Sequence, residues 1–259
     1  MKVRVLVLYG FGINCDFETQ HGFELAGASA ERVHFNELMS GAKSLNSYQV
    51  MALPGGFSFG DDIGAGKVLA IKFKYHLQES LQDFIRKGNL IIGICNGFQV
   101  LVKLGLLPGI SGDYRSQLTT LSFNDSGRFE DRWVHLKVLD SCSPFTKGLD
   151  RLYLPVRHGE GKFLVNDSST LARLHKNRQV AMTYVDNQGR EKPGYPWNPN
   201  GSVDDIAAIC DETGRVFGIM PHPEGYLYRI NHPAWTRERL PEEGLGLRVL
   251  KNAVSYFQG

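Results

Sequence analysis

The sequence predicts an α/β protein built on an open, mostly parallel sheet with helices on both faces and additional β segments. Three observations carry this. Apolar β-rich runs at 3–8, 30–34, 50–53 and 90–94 alternate with helical patterns, as in a parallel sheet covered on both sides. The run Leu90-Ile91-Ile92-Gly93-Ile94 drives into a Gly-x-Cys-x-Gly turn at 93–97 and leaves as a helix through Val100, Leu101 and Leu104. After Leu107-Pro108-Gly109 the pattern changes to short β segments separated by polar loops.

Val3 to Leu8 reads as a buried parallel strand because the run is continuous rather than alternating. It ends in the turn Gly10-Phe11-Gly12-Ile13-Asn14-Cys15, after which Asp16 is the expected N-cap of a helix ending near Ala26, with Gly27 as its stop. Strands at 30–34 and 50–53 follow. Leu69, Phe73, Leu77, Leu81 and Phe84 set a helical spacing that predicts one helix from about Val68 to Lys87, closed by Gly88. Beyond the cysteine turn, strands are expected at 117–123, 133–139, 152–156, 180–185, 206–210 and 216–220, with helices near 169–176 and 247–257. The Pro- and Gly-rich stretch 193–202 predicts irregular structure. With no repeat and no low-complexity linker, one domain spanning 1–259 is expected.

Composition narrows the function classes. A net charge of +2 with 22% charged residues, scattered along the chain, gives no footprint for nucleic acid. Cys15, Cys95, Cys142 and Cys210 lie far apart and form no C-x-x-C pair, so neither a disulfide framework nor a structural zinc site is expected. With no secretory signal and no apolar run long enough to span a bilayer, the expectation is a soluble cytoplasmic protein. Gly64-Ala65-Gly66-Lys67 imitates the end of a phosphate-binding P-loop. That motif requires Gly at 61 and Ser or Thr at 68, where the chain has Asp61 and Val68, so no ATP site is expected here.

The stretch around Cys95 has the form of a nucleophile elbow with Cys in place of Ser. Glycines two positions either side relieve the crowding that a strained residue imposes, and the helix that starts after Cys95 favours thiolate at its positive end. A buried core cysteine between two turn glycines fits the same ten residues. A free thiol is mostly protonated at neutral pH, so a catalytic one needs a base. His222 follows the strand 216–220 in Pro221-His222-Pro223-Glu224, where two prolines hold the chain extended and residues two apart share a side, so Glu224 can orient the ring. The Pro54-Gly55-Gly56 loop, one strand before the elbow, reaches the same carboxyl edge, where its N–H groups can face a developing oxyanion.

Together, Gly93 through Gln99, the Pro-Gly-Gly loop and Pro221 through Glu224 resemble the class I (triad-type) glutamine amidotransferase family, with its flavodoxin-like fold. Within it, Gly12 through Asp16, Gly55 through Asp61, Asn124 through Glu130, His158 through Gly161 and Asn198 through Ser202 are similar to the branch of glutaminase components of phosphoribosylformylglycinamidine synthase. The resemblance implies a triad of Cys95, His222 and Glu224, an oxyanion hole near Gly56 and Asn96, and glutamine contacts at Gln99, Asn124 and Phe129. It implies no metal and no cofactor in this chain. ATP and magnesium are expected in a synthetase partner that accepts the ammonia, with a small bridging subunit as the expected third component. His158, Glu160, Asn198 and Asn200 are the expected partner-facing positions. Gly225 departs from the Arg common in relatives, and 226–259 reads as a divergent extension with a final helix packing back on the domain. Two other readings fit: a glutaminase or γ-glutamyl hydrolase of the same fold in another pathway, and a non-catalytic partner-binding subunit.

Overall fold

The computed structural model describes residues 2–259. Its strands in chain order are β1 Arg4–Tyr9, β2 Ser29–His34, β3 Val50–Leu53, β4 Leu90–Ile94, β5 Thr119–Ser122, β6 Glu130–Val138, β7 Arg151–His158, β8 Lys162–Val165, β9 Val180–Val185, β10 Ile206–Cys210 and β11 Val216–Ile219. The helices are α1 Asp16–Leu25, α2 Phe35–Met39, α3 Lys67–His76, α4 Gln78–Arg86, α5 Asn96–Leu104, α6 Ser168–Lys176 and α7 Leu245–Ser255.

Nine strands form one sheet in the order β2-β1-β3-β4-β11-β10-β9-β6-β7, and β5 pairs with β8 in a separate ribbon. The first five in that order are parallel to one another. From β11 onward every pairing is antiparallel, so of the additional β segments β6, β7, β9, β10 and β11 widen the same sheet, and only β5 and β8 stand apart. The parallel strands are buried on both faces, which explains their unbroken apolar runs: all five residues of β4 are buried. Each such Leu or Ile contributes about 1.5–3 kcal/mol by leaving water.

Chain direction places the helices. From β1 the chain moves outward to β2 through α1, then returns past β1 to β3 and on to β4 through α3 and α4. Right-handed crossovers in opposite directions put α1 on one face and α2–α4 on the other. α1 packs with α7, and α3 with α5. Where the direction reverses, between β1 and β3, the loops after both strands meet at the carboxyl edge, and crevices at such switch points are where open α/β sheets bind ligands.

Three expectations are corrected. The helix expected over 68–87 is two helices, broken at Leu77, whose φ is −128°. An apolar spacing continues through such a kink because both halves face the same core, so periodicity cannot see it. Asp16 is the first residue of α1, not its cap: Cys15 holds the cap position, and the Asp16 carboxylate pairs with Arg32 at 2.8 Å. β7 continues through Arg157 and His158, which the sequence places in a loop. The ladder with β6 holds these polar residues in extended conformation, pairing Glu130 with His158.

The extension expected to pack back does so at its end. α7 contacts α1 and the turn after His222, and a Cβ on Gly246 would stand 1.9 Å from the Pro223 carbonyl oxygen. Gly225 is explained similarly, since a Cβ there would meet Pro155 Cγ at 2.7 Å. Among the described residues, no helix is long and apolar enough to cross a membrane.

Candidate active site

Cys95 sits between β4 and α5 with φ 51° and ψ −105°, a conformation that non-glycine residues adopt only when the surroundings enforce it. Its N–H donates to the Ile219 carbonyl of the adjacent β11 at 2.8 Å, and its carbonyl accepts from Gln99 N at 3.0 Å. The flanking glycines have a more specific reason than local crowding. A Cβ on Gly97 would stand 1.9 Å from the Leu53 carbonyl oxygen, and one on Gly93 would stand 2.6 Å from Gly97 itself. Both glycines let the first turn of α5 lie directly against the ends of β3 and β4. Gly97→Ala therefore costs about 1–3 kcal/mol by overpacking and lowers the thermal unfolding midpoint measurably. An unchanged midpoint would contradict this contact.

The turn delivers the Cys95 thiol, 5% exposed, to a narrow cleft of about 130 Å³ whose lining includes Gly56, Phe57, Gln99, Phe129, Arg157 and Glu160. A second lobe of about 290 Å³ shares Gly56, Phe57, Phe129 and Arg157 and is lined also by Cys15 and His222. Larger hollows of about 660 and 640 Å³ lie over 138–149 and near His175 and Asp204, away from these groups. Size therefore does not mark the chemistry; the thiol and imidazole do.

His222 enters after β11, its N–H donating to the Pro155 carbonyl at 2.8 Å. Its Nδ1 lies 2.6 Å from Glu224 Oε1, with both side chains 3% exposed. The route to that contact differs from the one expected. His222 is extended, but Pro223–Gly225 forms a single 3₁₀ turn, and this turn brings the carboxylate under the ring. Burial alone pushes the His222 imidazole down. The Glu224 carboxylate and the neighbouring thiols of Cys95 and Cys15 outweigh it and hold its pKa well above the usual value. His222 Nε2 is buried and has no hydrogen-bond partner among the described residues, which leaves it free to exchange a proton. His158, buried nearby, goes the other way. Burial first, then the charge of His222, pushes its pKa down to about 3, so it is neutral.

The loops from the switch point close the floor. Asn14 and Cys15 N–H groups donate to the Gly55 carbonyl, both at 3.2 Å, and Phe57 N donates to the Gly12 carbonyl at 2.9 Å. With φ 143° and a Cβ position 2.7 Å from both Asn14 N and Gly12 O, residue 56 has to be glycine. Among the described residues its own N–H has no partner, whereas that of Phe57 is engaged. Asn96 opens α5, where the first helical N–H groups have no intrahelical acceptor. Its side chain clamps the same loop, accepting from Ser58 N at 3.1 Å and donating to Asp61 and Gln99.

The other expected positions divide. Gln99 and Phe129 line the cleft. Gln99 is fixed at both ends, donating to the Glu160 carbonyl at 2.6 Å and accepting from Asn96. Asn124 is buried and turned inward, bonding Arg128 O, His158 O, Gly161 N and His158 Nδ1. The expected partner-facing set is corrected in part: His158, Asn198 and Asn200 are buried. Asn200 reaches Tyr184 and Ser202, and Asn198 ties down 201–205. Polar, Gly-rich stretches suggest surface, but here their amides satisfy one another inside. Glu160 is half-buried, and its carboxylate accepts from Ala65 N. The false P-loop thus has an acid where a phosphate would have to sit.

Sequence reasoning assigned no role to Cys15, Arg157 or Phe57. Cys15 had a usable signal, since it ends the loop after β1 at the switch point. Arg157 had none, as it depends on the β6–β7 register.

The family model of the CobB/CobQ-like glutamine amidotransferase domain matches residues 2–257. A phosphoribosylformylglycinamidine synthase subunit PurQ from Dehalococcoides mccartyi is 49% identical over 256 residues, covering 98% of both chains. Its counterpart from Methanococcus maripaludis is 45% identical over 265 residues, covering 98% of this chain and 97% of that one. A chain of the PurLQS structure from Thermotoga maritima aligns with a TM-score of 0.75 at 30% identity, covering 99% of this chain and 100% of that one. A strained cysteine at a strand–helix turn and a buried His–Glu pair, lining adjoining hollows that share Gly56, Phe57, Phe129 and Arg157, sit in a chain matched end to end by these relatives, and the chain belongs to the family of CobB/CobQ-like glutamine amidotransferase domains.

Proposed function

We propose that the chain is the glutaminase subunit of a phosphoribosylformylglycinamidine synthase. It hydrolyses L-glutamine to glutamate and ammonia, and passes the ammonia to a synthetase subunit in purine biosynthesis in the cytoplasm. The observation that carries the reading is the buried constellation itself: Cys95 at a strained turn and the free Nε2 of a His222 whose other nitrogen is held by Glu224.

Cys95 thiolate attacks the side-chain carbonyl of glutamine, and negative charge gathers on its oxygen. The N–H groups of Gly56 and Asn96 face that charge. His222, as imidazolium, gives a proton to the departing nitrogen, so ammonia leaves and a γ-glutamyl thioester remains. Neutral His222 then takes a proton from water, whose oxygen attacks the thioester. Collapse expels the thiolate and releases glutamate. Gln99 and Phe129 shape the wall against which the substrate's amino-acid end rests.

The printed names of the relatives support the pathway, each being a synthase subunit. The matched assembly named PurLQS supports a multi-subunit complex. ATP and magnesium then belong to the synthetase, which binds formylglycinamide ribonucleotide, and a small bridging subunit completes the set. Exposed Phe123 (72%) and Phe129 (52%), with half-buried Glu160 at the cleft mouth, replace the buried histidine and asparagines as the partner-facing positions. Glutamate release is measured with the chain alone and with the synthetase subunits, ATP and formylglycinamide ribonucleotide. The expected result is hydrolysis that rises on assembly and is matched by amidated product. Strong hydrolysis that no partner changes would favour a free-standing hydrolase, and none in either state a non-catalytic subunit.

A further inference from the structure

A second thiol stands at the same imidazole. Cys15 Sγ, a ring nitrogen of His222 and a carboxylate oxygen of Glu224 all lie within 4.8 Å of one another. Gly55 makes this approach feasible, since a Cβ there would stand 2.7 Å from His222 Cε1 and 3.3 Å from Cys15 Sγ. Glutamine hydrolysis as derived above assigns no step to Cys15. On the Nδ1 side of the ring, where Glu224 Oε1 already lies 2.6 Å away, the second carboxylate oxygen, Glu224 Oε2, is buried with no partner, although such atoms normally find one. Cys15 is half-buried and lines the 290 Å³ lobe, which gives an ion a way in.

We propose that Cys15, His222 and Glu224 form an inhibitory site for a thiophilic divalent cation of the Zn²⁺ type. Thiolate, imidazole and carboxylate are the donors that Zn²⁺ combines in tetrahedral sites, with water in the remaining position. Mg²⁺ and Ca²⁺, which prefer all-oxygen shells, do not suit this set. Binding displaces the Cys15 thiol proton and the His222 imidazolium proton to solvent, so the ligands are thiolate, neutral imidazole and carboxylate, and the two anions balance the two positive charges of the ion. The bound ion takes imidazole and carboxylate away from proton transfer, so the same contact that binds the metal silences Cys95. The inhibitory consequence rests on the glutaminase reading; the binding does not.

The test uses the full chain with Co²⁺ and Zn²⁺ as probes. One equivalent of Co²⁺ is expected to give tetrahedral d–d bands with thiolate-to-cobalt charge-transfer absorption, and Zn²⁺ to displace it. Cys95→Ala is expected to keep these spectra. Cys15→Ser is expected to lose the charge-transfer band and bind more than about tenfold more weakly, the least that even an outer-shell partner contributes at metal sites. Zn²⁺ inhibition of glutamate release, relative to each variant's metal-free rate and reversed by chelator, is expected to weaken by the same factor in Cys15→Ser. Spectra that survive Cys15→Ser but vanish in Cys95→Ala would overturn the proposal, as would absence of tetrahedral Co²⁺ binding in the unaltered chain. A chain that binds Co²⁺ through Cys15 yet releases no glutamate would leave the site standing and remove the glutaminase reading.

Discussion

Cys95→Ala abolishes glutamate release, lowering kcat/KM by at least about a thousandfold, while the fold survives. Size and environment support both halves. Alanine removes only the sulfur, and the φ of 51° is no harder for alanine than for cysteine. The turn is enforced from outside by the Cys95 N–H bond to Ile219 and the contact of Gly97 with Leu53, neither of which involves the thiol. What disappears is the thiol held at the strand–helix turn, the one beside Gln99 and Phe129. The check is a coupled glutamate assay beside a thermal melt. Retained hydrolysis in a folded variant would remove Cys95 from the mechanism and move attention to the thiol at 15.

The second large effect comes from Glu224→Gln, which lowers kcat by about 10²–10⁴-fold and shifts the pH profile. Glutamine preserves shape but not charge. With the carboxylate gone, the burial that pushes the imidazole down is opposed only by the two thiols, so the pKa of His222 falls from its raised position. The reactive pair is thiolate with imidazolium, and the imidazolium is lost as pH rises through the histidine pKa. The alkaline limb of kcat/KM therefore moves to lower pH in Glu224→Gln. The limb belongs to the coupled Cys–His pair rather than to one residue. A profile unmoved on the alkaline side would show that Glu224 does not set the charge of His222.

Much of the site was legible because its signals are local. Gly-x-Cys-x-Gly after an apolar run can hardly be read as anything but a strand–turn–helix with the cysteine at its apex, and β3, β9 and β10 fall on the expected residues. His222 and Glu224 were found through chain stiffness, though the 3₁₀ turn that joins them was not, since extended chain and turn begin with the same Pro-His-Pro. The kink at Leu77 was invisible because hydrophobic spacing reports which face is buried and not whether the axis bends. The misplacement of His158, Asn198 and Asn200 has a different cause. A polar residue in a Gly-rich stretch is read as solvated, and only the set of partners shows that a histidine and several amides satisfy one another inside.

The sequence by itself determined where the strands of the first half lie and which cysteine, histidine and glutamate to propose as nucleophile, base and orienting acid, because each of those readings depends on residues within a few positions of one another. The tertiary structure decided what lies between them. Half the sheet's pairings are antiparallel, Gly56 rather than Phe57 keeps its N–H free, and Cys15 reaches His222 from the far side of the Pro-Gly-Gly loop. Those facts arise from contacts between segments as distant as the ends of β1, β3 and β11. Long-range packing brings such segments together, and no local pattern records it.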